Sequence, residues 1–300
     1  MKKVLKWVGI VLGGLLVLIL VAVGAVYVIS NSRLNKTYDI QPEAVAVPTG
    51  DEAVQYGRHV AVIRGCTDCH GDNLAGEPLI EDPALAYLYA SNLTAGQGGV
   101  GGEFTDVDFV RAIRHGVDPE GKPLWFMPAQ EFYYLNDDDL GALIAYIKSL
   151  PPVDHVMPEN SGGLLGRILF VTGQLPLVPA ELIDHNAPRP PAVEPGVTVE
   201  YGEYLAVGCK GCHRANYVGG PIPGAPPDML PAANLTPAGE LAKWTEEDFI
   251  NTVRFGVTPD GDQLDPESMP WPSIGQMTDE ELQALWLYLQ SLPPVATDGG

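Results

Sequence analysis

The sequence predicts an all-α protein: an N-terminal transmembrane helix, then two tandem helical domains outside the membrane. Three observations lead there. One long uncharged apolar run lies near the N-terminus, and much of the remaining chain is written twice. Each copy also places apolar residues at helical spacing behind good N-cap residues. Three hundred residues accommodate two domains at roughly 150 residues each.

Residues 7–29 carry no charge. At 1.5 Å per residue this run is about 35 Å long, enough to cross a hydrocarbon core. Lys2, Lys3 and Lys6 precede it, so the positive-inside rule places the N-terminus in the cytoplasm and everything after Ser30 on the periplasmic or extracellular side. A cleaved signal peptide is the competing reading. Its apolar region is shorter, however, and here the small residues Ala22, Gly24 and Ala25 sit inside the run rather than after it. No cysteine precedes Cys66, which argues against a lipid anchor. Residues 1–36 therefore read as a single-pass anchor in the cytoplasmic membrane.

Composition narrows the classes further. Hydrophobic residues are 46% of the chain, too many for a disordered tail, and charged residues only 18%. The 34 Gly and 28 Pro point to helices joined by long stiff loops rather than to a coiled coil. The net charge of −21 excludes non-specific nucleic-acid binding, which depends on Lys and Arg neutralising phosphates. All five charges of residues 1–36 are basic, so the remainder holds 12 bases against 38 acids, a net −26.

The duplication has an offset of 140 to 143, and of 145 in the first helices, where the second copy is two residues shorter before its Cys pair. Tyr56-Gly57 returns as Tyr201-Gly202, Asn92-Leu93-Thr94 as Asn234-Leu235-Thr236, and Arg114-His115-Gly116-Val117 as Arg254-Phe255-Gly256-Val257. Ser149-Leu150-Pro151-Pro152-Val153 returns as Ser291-Leu292-Pro293-Pro294-Val295. The copies read as 45–153 and 197–296, with 154–196 as linker. In each copy a first helix (51–69, 199–212) is expected, then a middle helix starting at Thr105 or Thr245. A last helix starts at Asn136 or Thr278 and stops before Pro-Pro. In the linker, 164–177 is apolar enough for a short helix, too short to span. A membrane- or partner-facing patch is one reading, and packing between the two copies the favoured one.

The cysteines fall in two matched pairs, Cys66-Thr67-Asp68-Cys69-His70 and Cys209-Lys210-Gly211-Cys212-His213. Two short disulfides, a thiol oxidoreductase and covalent c-type haem attachment all use such pairs. Only the last requires a His directly after the second Cys, and here it occurs in both copies. Two covalently bound haem c groups follow, with His70 and His213 as axial iron ligands.

The duplication serves as an internal control for the sixth ligand. Met127-Pro128 lies 57 residues after His70 and Met269-Pro270 lies 56 after His213, at matching registers. Every rival fails: His59 aligns with Tyr204, His115 with Phe255, Met277 with Leu135, while His155, Met157 and His185 sit in the linker and Met229 in an unpaired loop. Core packing is the alternative role for the two methionines. Pro78 and Pro221, each eight residues after its His, mark loops whose carbonyls are candidates to fix the imidazole tautomer, or else are ordinary turns. Arg114 and Arg254, with Asn92 and Asn234, are candidates for haem propionates. Against this stand a helix-dipole role for the arginines and a packing role for the asparagines.

These residues resemble class I c-type cytochrome domains, twice over, across about 70% of the chain. The resemblance implies a small all-α fold whose first helix ends in the attachment motif and is crossed by the last. More narrowly, the Ser-Leu-Pro-Pro-Val endings and duplicated layout are similar to cytochrome subunits of membrane-bound periplasmic alcohol, aldehyde and gluconate dehydrogenases. That group typically carries three haems and no obligatory anchor helix; this chain has two attachment motifs and a stem. The implied function is a membrane-anchored di-haem carrier of single electrons rather than an enzyme. Its partner would be a respiratory complex, oxidase or dehydrogenase with a basic docking face. A peroxidase-like enzyme, a sensor and a dehydrogenase subunit are the alternatives. A sulfur-compound-oxidising site with Cys as axial ligand is disfavoured, because all four cysteines are taken.

Overall fold

The computed structural model describes residues 2–222, 224–225 and 229–297. Helix α1, Lys2–Leu34, runs unbroken and is exposed along its apolar length, becoming buried only at Ser30 and Leu34. It is long and apolar enough to cross a membrane.

In the first copy, α2 (Asp51–Ile63) crosses α6 (Asp137–Ser149), with α4 (Asp106–His115) alongside. In the second, α8 (Val199–Ala206) crosses α12 (Asp279–Ser291), with α10 (Glu246–Phe255) alongside. The expected caps form. Thr105 and Thr245 each close a capping box with the Asp three residues on, Thr278 does so with Glu281, and Asn136 accepts from the Asp139 amide. The apolar faces meet as the spacing predicts: Leu140, Leu143, Ile144 and Ile147 are buried, as are Leu282, Leu285 and Leu289. One apolar core runs through both copies, joining Val60 and Ile144 to Leu282 and Leu289.

The two crossings are tight because both first helices carry glycine there. A Cβ on Gly57 would lie 1.9 Å from the Ala142 carbonyl oxygen, and one on Gly202 2.0 Å from that of Ala284.

Three expectations need correction. The first helices are not continuous. Gly65 adopts a left-handed φ of 71°, ending α2 and starting the short α3 (Cys66–His70). In the second copy a 3-10 turn, Val207–Cys209, separates α8 from α9 (Lys210–His213). Nor is the fold purely helical. Strands β1 (Pro78–Asp82), β2 (Ala86–Tyr89) and β3 (Ser161–Gly162) form a small antiparallel sheet in the order β1-β2-β3, drawing in the linker. The linker helix α7 (Leu164–Val171) does not lie between the copies. It packs on α1 and on the β1–β2 hairpin, where Phe170 joins Leu34, Ala86, Leu88 and Leu177 in a second apolar cluster. The hairpin offers a closely fitting bed: Gly166 lies so near Leu85 that a Cβ there would be 1.9 Å from its carbonyl oxygen.

Replacing Gly57 or Gly202 by Ala is expected to force its helix pair apart and cost about 1–3 kcal/mol. A denaturation midpoint close to the parent's in both variants would contradict the tight crossing.

Candidate haem sites

Each Cys-x-x-Cys-His segment sits where the first helix of its copy ends. None of the four thiols is joined in a disulfide. Burial pushes the Cys66 and Cys209 thiols up to about 12, opposite to the depressed thiol pKa that a redox Cys-x-x-Cys motif uses. Thiol–disulfide chemistry is therefore disfavoured on electrostatic grounds.

The two histidines are set alike. Nδ1 of His70 lies 2.7 Å from the Ser91 carbonyl oxygen, and Nδ1 of His213 lies 2.7 Å from that of Ala233. A carbonyl only accepts, so Nδ1 carries the proton and Nε2 keeps its lone pair, the tautomer an iron ligand requires. Burial, which favours the neutral form, lowers both imidazoles from the ordinary histidine value against the raising effect of the carbonyl bond.

The accepting carbonyls thus belong to the residues just before Asn92 and Asn234, not to the Pro78 and Pro221 loops. Those loops hold the carbonyl-bearing segment in place. Glu77 O accepts from the Ala90 amide at 2.9 Å, while Gly220 and Ala232 exchange both backbone bonds at 2.8 and 2.9 Å. Asn92 and Asn234 pin the end of each copy. Their Nδ2 groups donate to the carbonyls of Val153 and Val295, both at 2.8 Å, and their Oδ1 atoms accept from the amides of Thr94 and Thr236. Arg114 and Arg254 pin the start of the last helix. Arg114 Nη2 reaches Leu135 O at 2.8 Å and Asp137 at 2.6 Å; Arg254 reaches Gly275 O at 3.0 Å and Asp279 at 2.6 Å. All four therefore have a packing role, while the buried Nε of Arg114 has no partner among the described residues.

Met127 and Met269 are half-buried and share one backbone geometry. Pro128 has φ −77° and ψ 55°, Pro270 φ −75° and ψ 53°, and the amide two residues beyond each Met returns to its carbonyl at 2.7 Å. This is an inverse γ-turn, for which proline presets φ. The rivals have other work. Met277 and Leu135 fill equivalent core positions. Nδ1 of His115 lies 3.0 Å from Nδ1 of His185, and Nδ1 of His155 lies 3.0 Å from Ala75 O. Met157 packs on Gly76.

Sequence reading missed how the copies meet. Each Met-Pro arm leads into a short helix, α5 (Ala129–Phe132) or α11 (Trp271–Ile274), that touches the other copy's attachment loop. The Glu131 carboxylate covers Gly211, where a Cβ would lie 2.5 Å from Oε1, and the Ser273 hydroxyl donates to Asp68. Glu131 and Ser273 are equivalent, as are Gly211 and Asp68. Asp139 accepts from Tyr204 of the other copy, and its equivalent Glu281 pairs with His59 of the other copy at 2.9 Å. The unmatched alignment of His59 with Tyr204 was the available signal: both positions serve the interface. Arg64 breaks the symmetry. Its Nη1 donates to the carbonyls of Tyr204 and Leu205, while its Nε and Nη2 are buried without a partner.

A repeated imidazole with a free Nε2, paired thiols on the same turn and buried cationic donors seeking an anion fit a covalently attached haem.

The fold and the site define a mostly helical protein with a repeated Cys-x-x-Cys-His loop. The family model for cytochrome c matches residues 54–151 and 199–293, and the chain belongs to that family. It is similar to the cytochrome c subunit of an alcohol dehydrogenase (quinone) from Gluconacetobacter polyoxogenes, 29% identical over 84% of this chain and 59% of that protein. It is also similar to a fructose dehydrogenase cytochrome subunit from Gluconobacter japonicus (26%, 82% and 54%) and a gluconate 2-dehydrogenase cytochrome c subunit from Pantoea cypripedii (25%, 81% and 60%). The chain spans less than two thirds of the length of these relatives.

Burial pushes the Glu131 carboxyl up to about 7, against the pull of Arg64. Its unfolded value is near 4.3, so the stability it contributes is full below that pH and is lost as pH rises through about 7. Glu131→Gln is expected to match the parent at low pH and exceed it at pH 8 by on the order of 1–3 kcal/mol. Equal stability at pH 8, read by denaturant titration, would show that Glu131 is solvated.

Proposed function

We propose that this chain is a membrane-anchored di-haem c-type cytochrome, an electron carrier with no substrate site of its own. Its domains are 45–153 and 197–296, carried on the periplasmic or extracellular face by the anchor 1–36, whose N-terminus lies inside. The observation that carries the reading is the repetition, in both copies, of one arrangement. It comprises the Cys-x-x-Cys-His turn, the His Nδ1–carbonyl bond at 2.7 Å and the Met-Pro inverse γ-turn.

A bound haem supplies one-electron exchange at its iron. Cys66 and Cys69, and Cys209 and Cys212, would hold the two haems through thioethers. His70 and His213 would ligate iron through Nε2, held at fixed ring angles by Ser91 and Ala233. Met127 and Met269 would be the second protein ligands, and ligation by them would exclude water and dioxygen. Thioether ligation raises a haem's potential above that of a bis-histidine centre, suiting transfer toward an oxidant. Similarity to three dehydrogenase cytochrome subunits supports the narrower reading that the chain accepts electrons as the subunit of a membrane-bound dehydrogenase. The acidic exported body favours a partner with a basic docking face.

A redox titration followed by carbon monoxide tests the assignment. The parent is expected to show two positive potentials and no gas binding. Met127→Ala and Met269→Ala should each lower one potential and admit carbon monoxide at one haem, whereas Met277→Ala should do neither. Carbon monoxide binding by the reduced parent would mean an open iron and move the enzyme or sensor reading to the front. The rate of electron exchange with a basic partner should fall by roughly tenfold or more between low and high salt; a salt-independent rate would contradict acidic docking.

A further inference from the structure

We propose that α7 lies in the membrane surface beside α1, with Leu164, Leu165 and Ile168 among the headgroups and upper acyl chains. The first copy then rests on the bilayer at two points. The proposal builds on the reading of α1 as a membrane-spanning helix.

Helix α7 has two unlike faces. Gly166 and Phe170 are buried against the hairpin and its apolar cluster. Leu164, Leu165 and Ile168, spaced to share the opposite face, are 39%, 48% and 37% exposed. The helix carries a single charge, Arg167, and that side chain is turned onto α1. Its Nη1 donates to Ser30 Oγ at 2.8 Å and Asn31 Oδ1 at 2.7 Å, and its guanidinium lies 4.8 Å from the Tyr27 ring centroid.

From α1 the reverse contact is made by Arg33. It pairs with Glu181 at 2.6 Å, donates to Phe170 O at 3.0 Å and stacks 3.9 Å over the Phe170 ring. These contacts hold α7 rigidly level with residues 27–33 of the anchor.

That level is where the anchor leaves the hydrocarbon. A core about 30 Å thick takes about 20 helical residues, so a span entered at Trp7 is left near Tyr27. Trp7 and Tyr27 are the residue types that favour the two interfaces. The bilayer that α1 crosses therefore occupies the space at the level of the exposed aliphatic face of α7. An apolar face with no acid, beside one anchored cation, suits the boundary between headgroups and acyl chains.

The test uses the full-length, haem-loaded protein in phospholipid nanodiscs. A bimane fluorophore is placed through one of four substitutions, Val17→Cys, Leu165→Cys, Ile168→Cys or Asp260→Cys. Lipids carrying a nitroxide near the headgroup or deep in the acyl chain act as quenchers, with undoped bilayers as the reference for each site. The shallow nitroxide is expected to quench the 165 and 168 probes about twofold or more, the deep one the 17 probe, and neither the 260 probe. Probes at 165 and 168 that behave like the one at 260, while 17 is quenched, overturn the proposal and leave the anchor intact. A probe at 17 that no lipid quenches overturns the anchor itself, and the placement of α7 with it.

Discussion

The close crossing of first and last helices is the constraint on which the structure depends. Gly57 against Ala142 and Gly202 against Ala284 bring two backbones together where any side chain would hold them apart. With that distance fixed, the end of the first helix delivers the Cys-x-x-Cys-His turn. The start of the last helix, clamped by Arg114 or Arg254, fixes the Met-Pro arm that precedes it. Both sides of each candidate haem site are thereby referred to one contact. Buried apolar residues such as Leu140, Ile144, Leu282 and Leu289 stabilise the crossing, each contributing on the order of 1.5–3 kcal/mol on full burial.

Duplication has a second consequence. Two copies related by a near-symmetric interface make reciprocal contacts, so the helix after each methionine lies on the attachment loop of the other copy. Glu131 on Gly211 and Ser273 on Asp68 are the same contact written with different chemistry. The acids that begin the last helices, Asp139 and Glu281, serve locally near the N-cap and also accept from Tyr204 and His59 across the interface. A single apolar core and a polar rim of this kind make the two candidate haem sites parts of one body.

Much of this was legible beforehand because it rests on short-range chemistry. The caps at Thr105, Thr245, Asn136 and Thr278 need only a hydroxyl or amide and a nearby backbone N–H, and all four form. What failed was long-range. The carbonyls that orient His70 and His213 come from Ser91 and Ala233, residues without distinguishing side chains, so no side-chain pattern marks them. Asn92, Asn234, Arg114 and Arg254 looked like ligand-binding groups because they recur. In the structure they tie down each copy's chain end and last helix.

The sequence by itself determined the anchor-like stem, the duplication, the attachment motifs and the helix starts, since each is encoded within a few residues or by comparing one copy with the other. Only the tertiary structure decided where the linker goes. Apolar spacing in α7 states that one face must be covered but not by what, and the answer came from a hairpin bed at Leu85 and paired arginines, Arg33 and Arg167, reaching between α1 and α7. It likewise decided that the two copies exchange contacts, because the geometry of an interface is a sum of weak, non-local terms that no local pattern records.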